Sequence, residues 1–469
     1  MTMMSFTSIH SSLKKIITRT RVRMDSLQFP LLPLLFVFAL LLPGWSPAQS
    51  TSGGKFRASV VKVDITPLDS QMLAGYDARK STGVMHRIYH RIVAMDDGTT
   101  QFFLISTDIG KMSPSQYDKV AAKLEREHGI DPVNLWWTVT HTHSAPEIGP
   151  PGISGIFLPN RYQHAVASEY TKVAEQKLID GIIEARRKLQ PARLGVGWGF
   201  SRANINRRAI DVDGKASLGL SPEGPVDRMI GLLRLENQDG SPMALIANYA
   251  LHGTVLGPQN LHISGDAPGI VADYVEEQIG VPMLFINGAA GNLAPIYSVY
   301  PDARQGHLGQ FRVLLGDRIL EANQAIAQTT KEVSLVSRGV IVETPRKEMG
   351  WPADMPNYSR TTASGQNMVL LPVRFLKIND DVAIWSAPLE LFCEISSTVR
   401  EHSPFPYTFY FGYGNGNLGY MPTSDGWGQG GYEPSVSPFT PAAEKDLTEA
   451  VIGYLQGELR APVLLINKK

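Results

Sequence analysis

Two histidines one residue apart leave an apolar run. Leu135–Val139 leads straight into Thr140-His141-Thr142-His143-Ser144-Ala145-Pro146, and the loop continues through Gly149-Pro150-Pro151-Gly152. Side chains at i and i+2 share one side of a strand, so both imidazoles can enter one pocket. Neutral imidazole is a preferred zinc donor, although an isolated pair of this kind more often consists of satisfied polar groups at a strand end. A third histidine is placed alike. The apolar stretch Met243–Leu251 ends in His252-Gly253-Thr254, and a Gly/Pro/Asn loop then reaches His262-Ile263-Ser264-Gly265-Asp266. Zinc needs donors converging from different strands, which His141 and His252 offer. His262 reads as a loop residue, and Asp266 before Ala267-Pro268 reads as a helix N-cap. After Met283–Ile286 comes Asn287-Gly288-Ala289-Ala290-Gly291-Asn292-Leu293-Ala294-Pro295. Its Gly and Asn residues suit a tight turn or close approach of backbone amides to a ligand.

These groups must be held by regular elements. Short apolar or β-branched runs at 102–106, 135–139, 243–248, 283–286 and 382–385 predict strands, several buried on both faces. Between them, Ser113-Pro114-Ser115-Gln116 combines an N-cap, a proline at the first helical position and a capping-box Gln, after which Tyr117, Val120, Ala121 and Leu124 recur at helical spacing up to Gly129. Further helices are predicted over 164–189, 268–279, 308–325 and 442–455. The expected fold class is therefore α/β: a mixed, largely parallel sheet covered by helices, in a single large catalytic domain with ligands at the loops beyond the strand ends.

Composition narrows the function. The chain has 469 residues, 44 Lys+Arg against 44 Asp+Glu, 43% hydrophobic residues and one cysteine, Cys393. An intramolecular disulfide is impossible, a cysteine zinc site is disfavoured, and nothing suggests a collagen-like, disordered or nucleic-acid-binding chain. Lys14, Lys15, Arg19, Arg21 and Arg23 precede an apolar run from Leu31 to Leu42, and Ser46-Pro47-Ala48 offers small residues for cleavage. Residues 1–48 thus read as a signal peptide, with a secreted or periplasmic protein over 49–469; an uncleaved anchor is the alternative. The exported part would hold 39 basic and 43 acidic residues, a charge of about −4.

The order of the motifs resembles the neutral, non-lysosomal ceramidases, secreted zinc amidases that cleave the N-acyl bond of ceramide. The resemblance rests on His141-Thr142-His143-Ser144-Ala145-Pro146, on Asn248 through His252-Gly253-Thr254, on Gly291-Asn292-Leu293-Ala294-Pro295, on Ser386-Ala387-Pro388-Leu389-Glu390, and on Asn417-Leu418-Gly419-Tyr420 followed by Gly431-Tyr432-Glu433. It implies a zinc ion held by His141, His252, Glu390 and Tyr420. Tyr432 becomes a substrate-facing phenol, and Asn206-Arg207 resembles the segment with the family's active-site arginine. Two departures stand out: the family's serine is Ala294, with Ile296 after Pro295, and the family's C-terminal β-sandwich domain is expected to be absent.

No acyl-enzyme can form on Ala294. The expected chemistry is attack by zinc-activated water on an amide, with His143 accepting or relaying a proton and Arg207 or Tyr432 stabilising the oxyanion. The expected substrate is ceramide, a related N-acyl lipid or a small N-acyl compound, with peripheral membrane contact open and no nucleic-acid partner. Three alternatives stay in play: a hydrolase of another amide or an ester, a serine hydrolase using Ser144 or Ser264, and a noncatalytic zinc-containing binding protein. Trp351, Trp427 and Tyr432 lie in loops where they could line a lipid or sugar pocket.

Overall fold

The computed structural model describes residues 56–164, 168–297, 305–457 and 463–465. The predicted signal peptide lies outside them. The fold is mixed α/β, as expected, and is built on two large sheets. The first contains β1 (Arg57–Asp64), β2 (Tyr89–Asp96), β3 (Gln101–Thr107), β4 (Leu135–Val139), β5 (Gln190–Phe200), β6 (Met229–Asn237), β7 (Pro242–Tyr249) and β8 (Met283–Asn287), in the order β8-β7-β6-β5-β1-β2-β3-β4. The second contains β9 (Leu335–Pro345), β10 (Ser359–Thr361), β11 (Asn367–Ile378), β12 (Val382–Ser386), β13 (Tyr407–Phe411) and β14 (Val463–Leu465), ordered β13-β12-β11-β9-β14 with β10 against β11.

Pairing departs from the largely parallel expectation. In the first sheet only β3–β4 and β7–β8 are parallel, and in the second only β12–β13. The reason lies in Asp-Gly turns: Asp97-Gly98 joins β2 to β3 and Asp239-Gly240 joins β6 to β7. Asp96 and Asp97 side chains accept from the Gly98 and Thr99 amides, and the Asp239 side chain from Ser241 N, so each turn closes a hairpin and forces antiparallel neighbours.

Alternation along the strands explains the layers. Val93 and Met95 of β2 face a core shared with Leu376, Ile378, Ile384 and Phe409 of the second sheet, whereas Ile92 and Ala94 face helices. Those helices are α1 (Pro114–His128) and α3 (Ser168–Arg187), with the short α2 (Ile153–Phe157) between them in sequence. Helix α4 (Asp266–Ile279) and the helical stretch 305–324, which contains a π-helical segment over Arg312–Asp317, cover the β6–β8 end of the same face. Helices α5 (Cys393–His402) and α6 (Ala442–Gln456) cover the outer face of the second sheet. Four layers result: helices, sheet, sheet, helices. Helix α1 starts at the Ser113 cap and ends at Gly129 with φ 65°, as the spacing predicts. Among the described residues no helix is long and apolar enough to cross a membrane.

Each of the three parallel pairs points its C-terminal ends toward one region, where the loops of both sheets meet. The Gly412 amide after β13 donates to Asn287 O at the end of β8 (2.8 Å), and the Asn415 amide donates to Trp137 O in β4 (2.8 Å). Asn415 Oδ1 also accepts from Trp137 N at 2.7 Å, which ties the second sheet to the edge of the first.

Candidate active site

His141 and His143 do not reach the site by strand alternation alone. β4 ends at Val139, and His141 sits at φ 60°, a left-handed conformation that a β-carbon disfavours by roughly 1–2 kcal/mol. Six described non-glycine residues have positive φ, and all but Asn379 surround this region: Tyr76, His141, Asp266, Tyr413 and Asn415. Strain gathered in this way marks a constrained site. Beyond the turn, the two histidine loops pair with each other. His143 N donates to Gly253 O (2.8 Å), Gly253 N donates to His141 O (3.2 Å), and a β-carbon on Gly253 would lie 2.6 Å from Thr142 Cα. Only glycine after His252 permits that approach.

Backbone carbonyls fix the rings. His141 Nδ1 donates to Gly110 O (2.5 Å) and His252 Nδ1 donates to Leu293 O (2.9 Å), so the Nε2 lone pair of each is turned the other way. Glu390 Oε2 lies 3.3 Å from His141 Nε2 and 3.5 Å from His252 Nε2, and His143 Nε2 lies 3.4 Å from His141 Nε2. His252 Nε2 and Glu390 Oε2 are buried without a hydrogen-bond partner. Two such groups left unmet would be costly unless something bridges them. A tetrahedral ion with bonds of about 2.1 Å separates its donors by about 3.4 Å, so these residues fit zinc.

The structure brings His141, His252 and Glu390 together. Sequence reasoning and geometry differ in emphasis on the fourth donor. His141, His143 and His252 place ligating nitrogens within 4.8 Å of one another, which adds His143 as a possible donor. Tyr420, the expected fourth ligand, is buried with its Oη 3.2 Å from Arg207 Nη2. Burial, and then the Glu390 charge, hold its phenol well above the ordinary range, while Arg207 acts in the opposite sense. Burial pushes the His252 imidazole down to about 3, with Arg207 adding to it. His143 is likewise held well below its ordinary value, by burial and then by His141 and His252. Burial alone would raise the Glu390 carboxyl, but His141 and His252 beside it keep it well below the usual range. His252 and His143 are therefore held neutral and Glu390 anionic near neutral pH, the state a metal requires of such donors.

A cavity of about 510 Å³ opens onto these groups. His141, His143, Arg207, Ala294, Glu390, Tyr420 and Tyr432 all line it, and Ile153, Phe157, Leu158, Leu218 and Val436 supply an apolar wall. Every proposed site residue except the fully buried His252 thus faces one space. Tyr432 is 36% exposed and stacks edge-on against Tyr420 at 5.7 Å, so its phenol is open to a ligand. Trp351 and Trp427 are not cavity-lining; Trp351 Nε1 donates to Met355 O and Trp427 lies under Lys347. Ser144 and Ser264 do not line it either. Ser144 Oγ accepts from Asn260 and Ser264 Oγ meets His86 Nδ1, and both serines are fully buried. That weakens the serine route.

Several supports escaped the sequence reading. Tyr413 stacks on His141 with ring centroids 4.4 Å apart, and Asn417 Nδ2 donates to Glu390 Oε1 (3.0 Å). Asn287 Oδ1 accepts from Leu251 N while its Nδ2 donates to Thr140 O and Leu251 O, clamping both histidine loops. Lys111, directly after the carbonyl that holds His141, also lines the cavity. Only the Gly-Asn turn composition of 412–417 and 287–292 hinted at any of this.

Asp266 is a correction. Helix α4 begins with Asp266 itself, after an N-cap at Gly265, and Asp266 Oδ1 and Oδ2 accept from Val255 N and Leu256 N at 3.0 Å each. Its carboxylate fastens the loop that follows His252. Asn tolerates the same φ of 53° but cannot accept with both side-chain atoms. Asp266→Asn is therefore expected to cost about 2–4 kcal/mol in denaturant unfolding; a loss below ~0.5 kcal/mol would show that the clamp carries little.

Comparison with known proteins gives a consistent picture. A family profile for the N-terminal domain of neutral/alkaline non-lysosomal ceramidases matches residues 56–288. Neutral ceramidase B of Dictyostelium discoideum is 27% identical over 175 residues, covering 37% of this chain and 23% of that protein. The neutral ceramidase of Mycobacterium tuberculosis is 26% identical over 219 residues, 44% of this chain and 33% of that protein. The chain thus spans a third or less of the length of these two relatives. In fold it is similar to the crystal structure of the neutral ceramidase from Pseudomonas aeruginosa, with a TM-score of 0.70 over 88% of this chain and 76% of that one, at 19% identity.

Proposed function

Because the chain belongs to the neutral/alkaline non-lysosomal ceramidase family, we propose that it is an exported zinc-dependent hydrolase that cleaves the amide bond of ceramide or a related N-acyl lipid. The observation that carries this reading is the pair of buried, partnerless atoms His252 Nε2 and Glu390 Oε2, facing each other beside His141 at the end of a partly apolar cavity. His141, His252, Glu390 and Tyr420 would hold the zinc, with His143 Nε2 next to them. Bound there, the ion would supply Lewis acidity and lower the pKa of water to roughly 7.

The chain's own groups have separable roles. Ile153, Phe157, Leu158, Leu218 and Val436 would receive the acyl chain. The Tyr432 phenol and the Arg207 guanidinium would donate toward the oxygen of the scissile carbonyl as charge develops on it. His143 would move a proton from the attacking water to the departing nitrogen through Nε2; its Nδ1 is buried beside Gly75, where a β-carbon would lie 2.0 Å away, so the ring has little freedom. Ala294 contributes no nucleophile. Exposed Ile156 and Leu218, beside the cavity-lining residues of α2 and of the hairpin strand Ala216–Ser221, support peripheral membrane contact.

Metal analysis of the purified protein, combined with a panel of N-acyl amides and esters of varied chain length, tests the reading. Stoichiometric zinc with no cleavage of any member would instead favour the noncatalytic binding protein. Within an active protein, Tyr432→Phe is expected to lower kcat/KM about 100-fold while zinc content stays at wild-type level. Zinc lost in parallel would move Tyr432 from the substrate to the metal.

A further inference from the structure

Charged groups on the cavity wall are mostly paired within the protein. Arg161 Nη2 meets Glu147 at 2.5 Å and its Nη1 donates to Tyr76 O, Arg207 is held by Glu433, and Glu390 belongs to the metal site. Asp77 is exposed on the wall, and Lys111 is the cation without an ion pair. It is half-buried, its Nζ donates to Ser154 Oγ, and among the described residues no carboxylate lies within ion-pair distance of it. A lysine side chain is ordinarily an ammonium at neutral pH, and here it stands on the cavity wall. With the Glu390 charge engaged by a metal, the half-buried Lys111 would have no ion-pair partner of its own, and a neutral ceramide cannot supply one. Its place in the chain also limits where the anion must sit. Lys111 directly follows Gly110, whose carbonyl holds His141 Nδ1, and Ser154 lies on α2 between the acyl-wall residues Ile153 and Phe157. The ammonium is therefore held against Ser154 on α2, in the same cavity as the metal-site residues His141 and Glu390.

We infer that the cavity selects an N-acyl amine whose amine part carries a carboxylate, an N-acyl amino acid, with Lys111 Nζ as the carboxylate's partner and Ser154 Oγ beside it. The inference rests on the amidase reading above. The carboxylate of such a compound is two bonds from the scissile nitrogen, which suits a cation on the wall of the cavity that His141 and Glu390 also line. Hydrolysis would add water across the C–N bond, the hydroxyl to the acyl carbon and the proton to the nitrogen, releasing a fatty acid and a free amino acid.

The test compares N-lauroylglycine with N-lauroylethanolamine, in which a neutral hydroxymethyl replaces the carboxylate, and with a C12 ceramide, on the zinc-loaded full chain. Wild type is expected to prefer the glycine conjugate over the ethanolamide at least tenfold in kcat/KM. Lys111→Met should reduce that ratio at least tenfold, mainly through KM, and Lys111→Arg should keep it. Equilibrium titration with the ketone isosteres, in which CH2 replaces the amide N–H, should show the same selective loss without turnover. If ceramide or the ethanolamide is cleaved and the ratio does not respond to Lys111→Met, the carboxylate assignment is wrong and the amidase reading stands. If no amide is cleaved, the amidase reading fails, and the titration alone decides: tighter binding of the carboxylate isostere that is lost in Lys111→Met supports a carboxylate site, and equal affinity for both isosteres overturns it.

Discussion

His252→Ala is expected to strip the protein of most bound zinc and to lower kcat/KM by roughly three orders of magnitude or more. His252 is fully buried, its Nδ1 is spent on Leu293 O, and its Nε2 has no role in the fold besides facing Glu390. Glu390→Gln provides a variant of the same shape; the amide keeps an oxygen for Asn417 but cannot offer a charge, and it should lose metal as well. His128→Ala, in the last turn of α1, should keep full occupancy. His143→Ala then separates the two donor sets. If His141, His252, Glu390 and Tyr420 hold the ion, His143→Ala retains zinc and loses turnover; if the three imidazoles hold it, zinc leaves as it does in His252→Ala. Full occupancy in either His252→Ala or Glu390→Gln, measured by elemental analysis on folded protein, would refute the site.

His141 and His252 could be nominated from residue order, because each follows a buried strand whose signal is local, whereas Glu390 and Tyr420 come from the resemblance of their motifs to the family's. The run Leu135–Val139 is a strand over those five residues, and α1 begins and ends where Ser113 and Gly129 cap it. What pairs with those strands is not local. The Asp97-Gly98 and Asp239-Gly240 turns were the available sign that the sheets are mainly antiparallel, and they carry more weight than the strand–helix alternation that suggested otherwise. Nor could alternation anticipate the left-handed turn at His141. There the backbone is determined by pairing with a loop more than a hundred residues away, through Gly253. Tyr413 and Lys111 were invisible for the same reason, and Asn287 was legible only as part of a turn: each is an ordinary residue type whose role depends on what the other sheet or loop brings beside it. Asp266 shows the converse, a local capping signal whose carboxylate accepts from the Ala267 amide but also holds two amides ten and eleven residues back.

Arg207→Met is expected to damage stability, metal affinity and turnover together. The guanidinium is buried between two partners, Glu433 through Nε at 2.9 Å and Tyr420 Oη through Nη2 at 3.2 Å, while the Arg207 amide donates to Asn292 O. Glu433 is 1% exposed and would keep only Arg208 among its ion-pair partners, so the fold should lose about 1–3 kcal/mol, a partly compensated burial of charge. Tyr420 would lose the neighbour that favours its phenolate, and a lost support of this kind typically weakens metal binding about 10- to 100-fold. Loss of a donor toward the substrate adds about 2.7–4 kcal/mol to the barrier, so kcat/KM should fall by roughly 10²- to 10³-fold even with the site saturated in zinc. Arg207→Lys keeps a charge but cannot span both partners, and should recover stability before it recovers activity. Thermal unfolding, chelator competition and kinetics at saturating zinc separate the three effects. If kcat/KM at saturating zinc stays within about threefold of wild type, Arg207 serves only to hold Tyr420 and Glu433 in place, and the oxyanion must be met by Tyr432 alone.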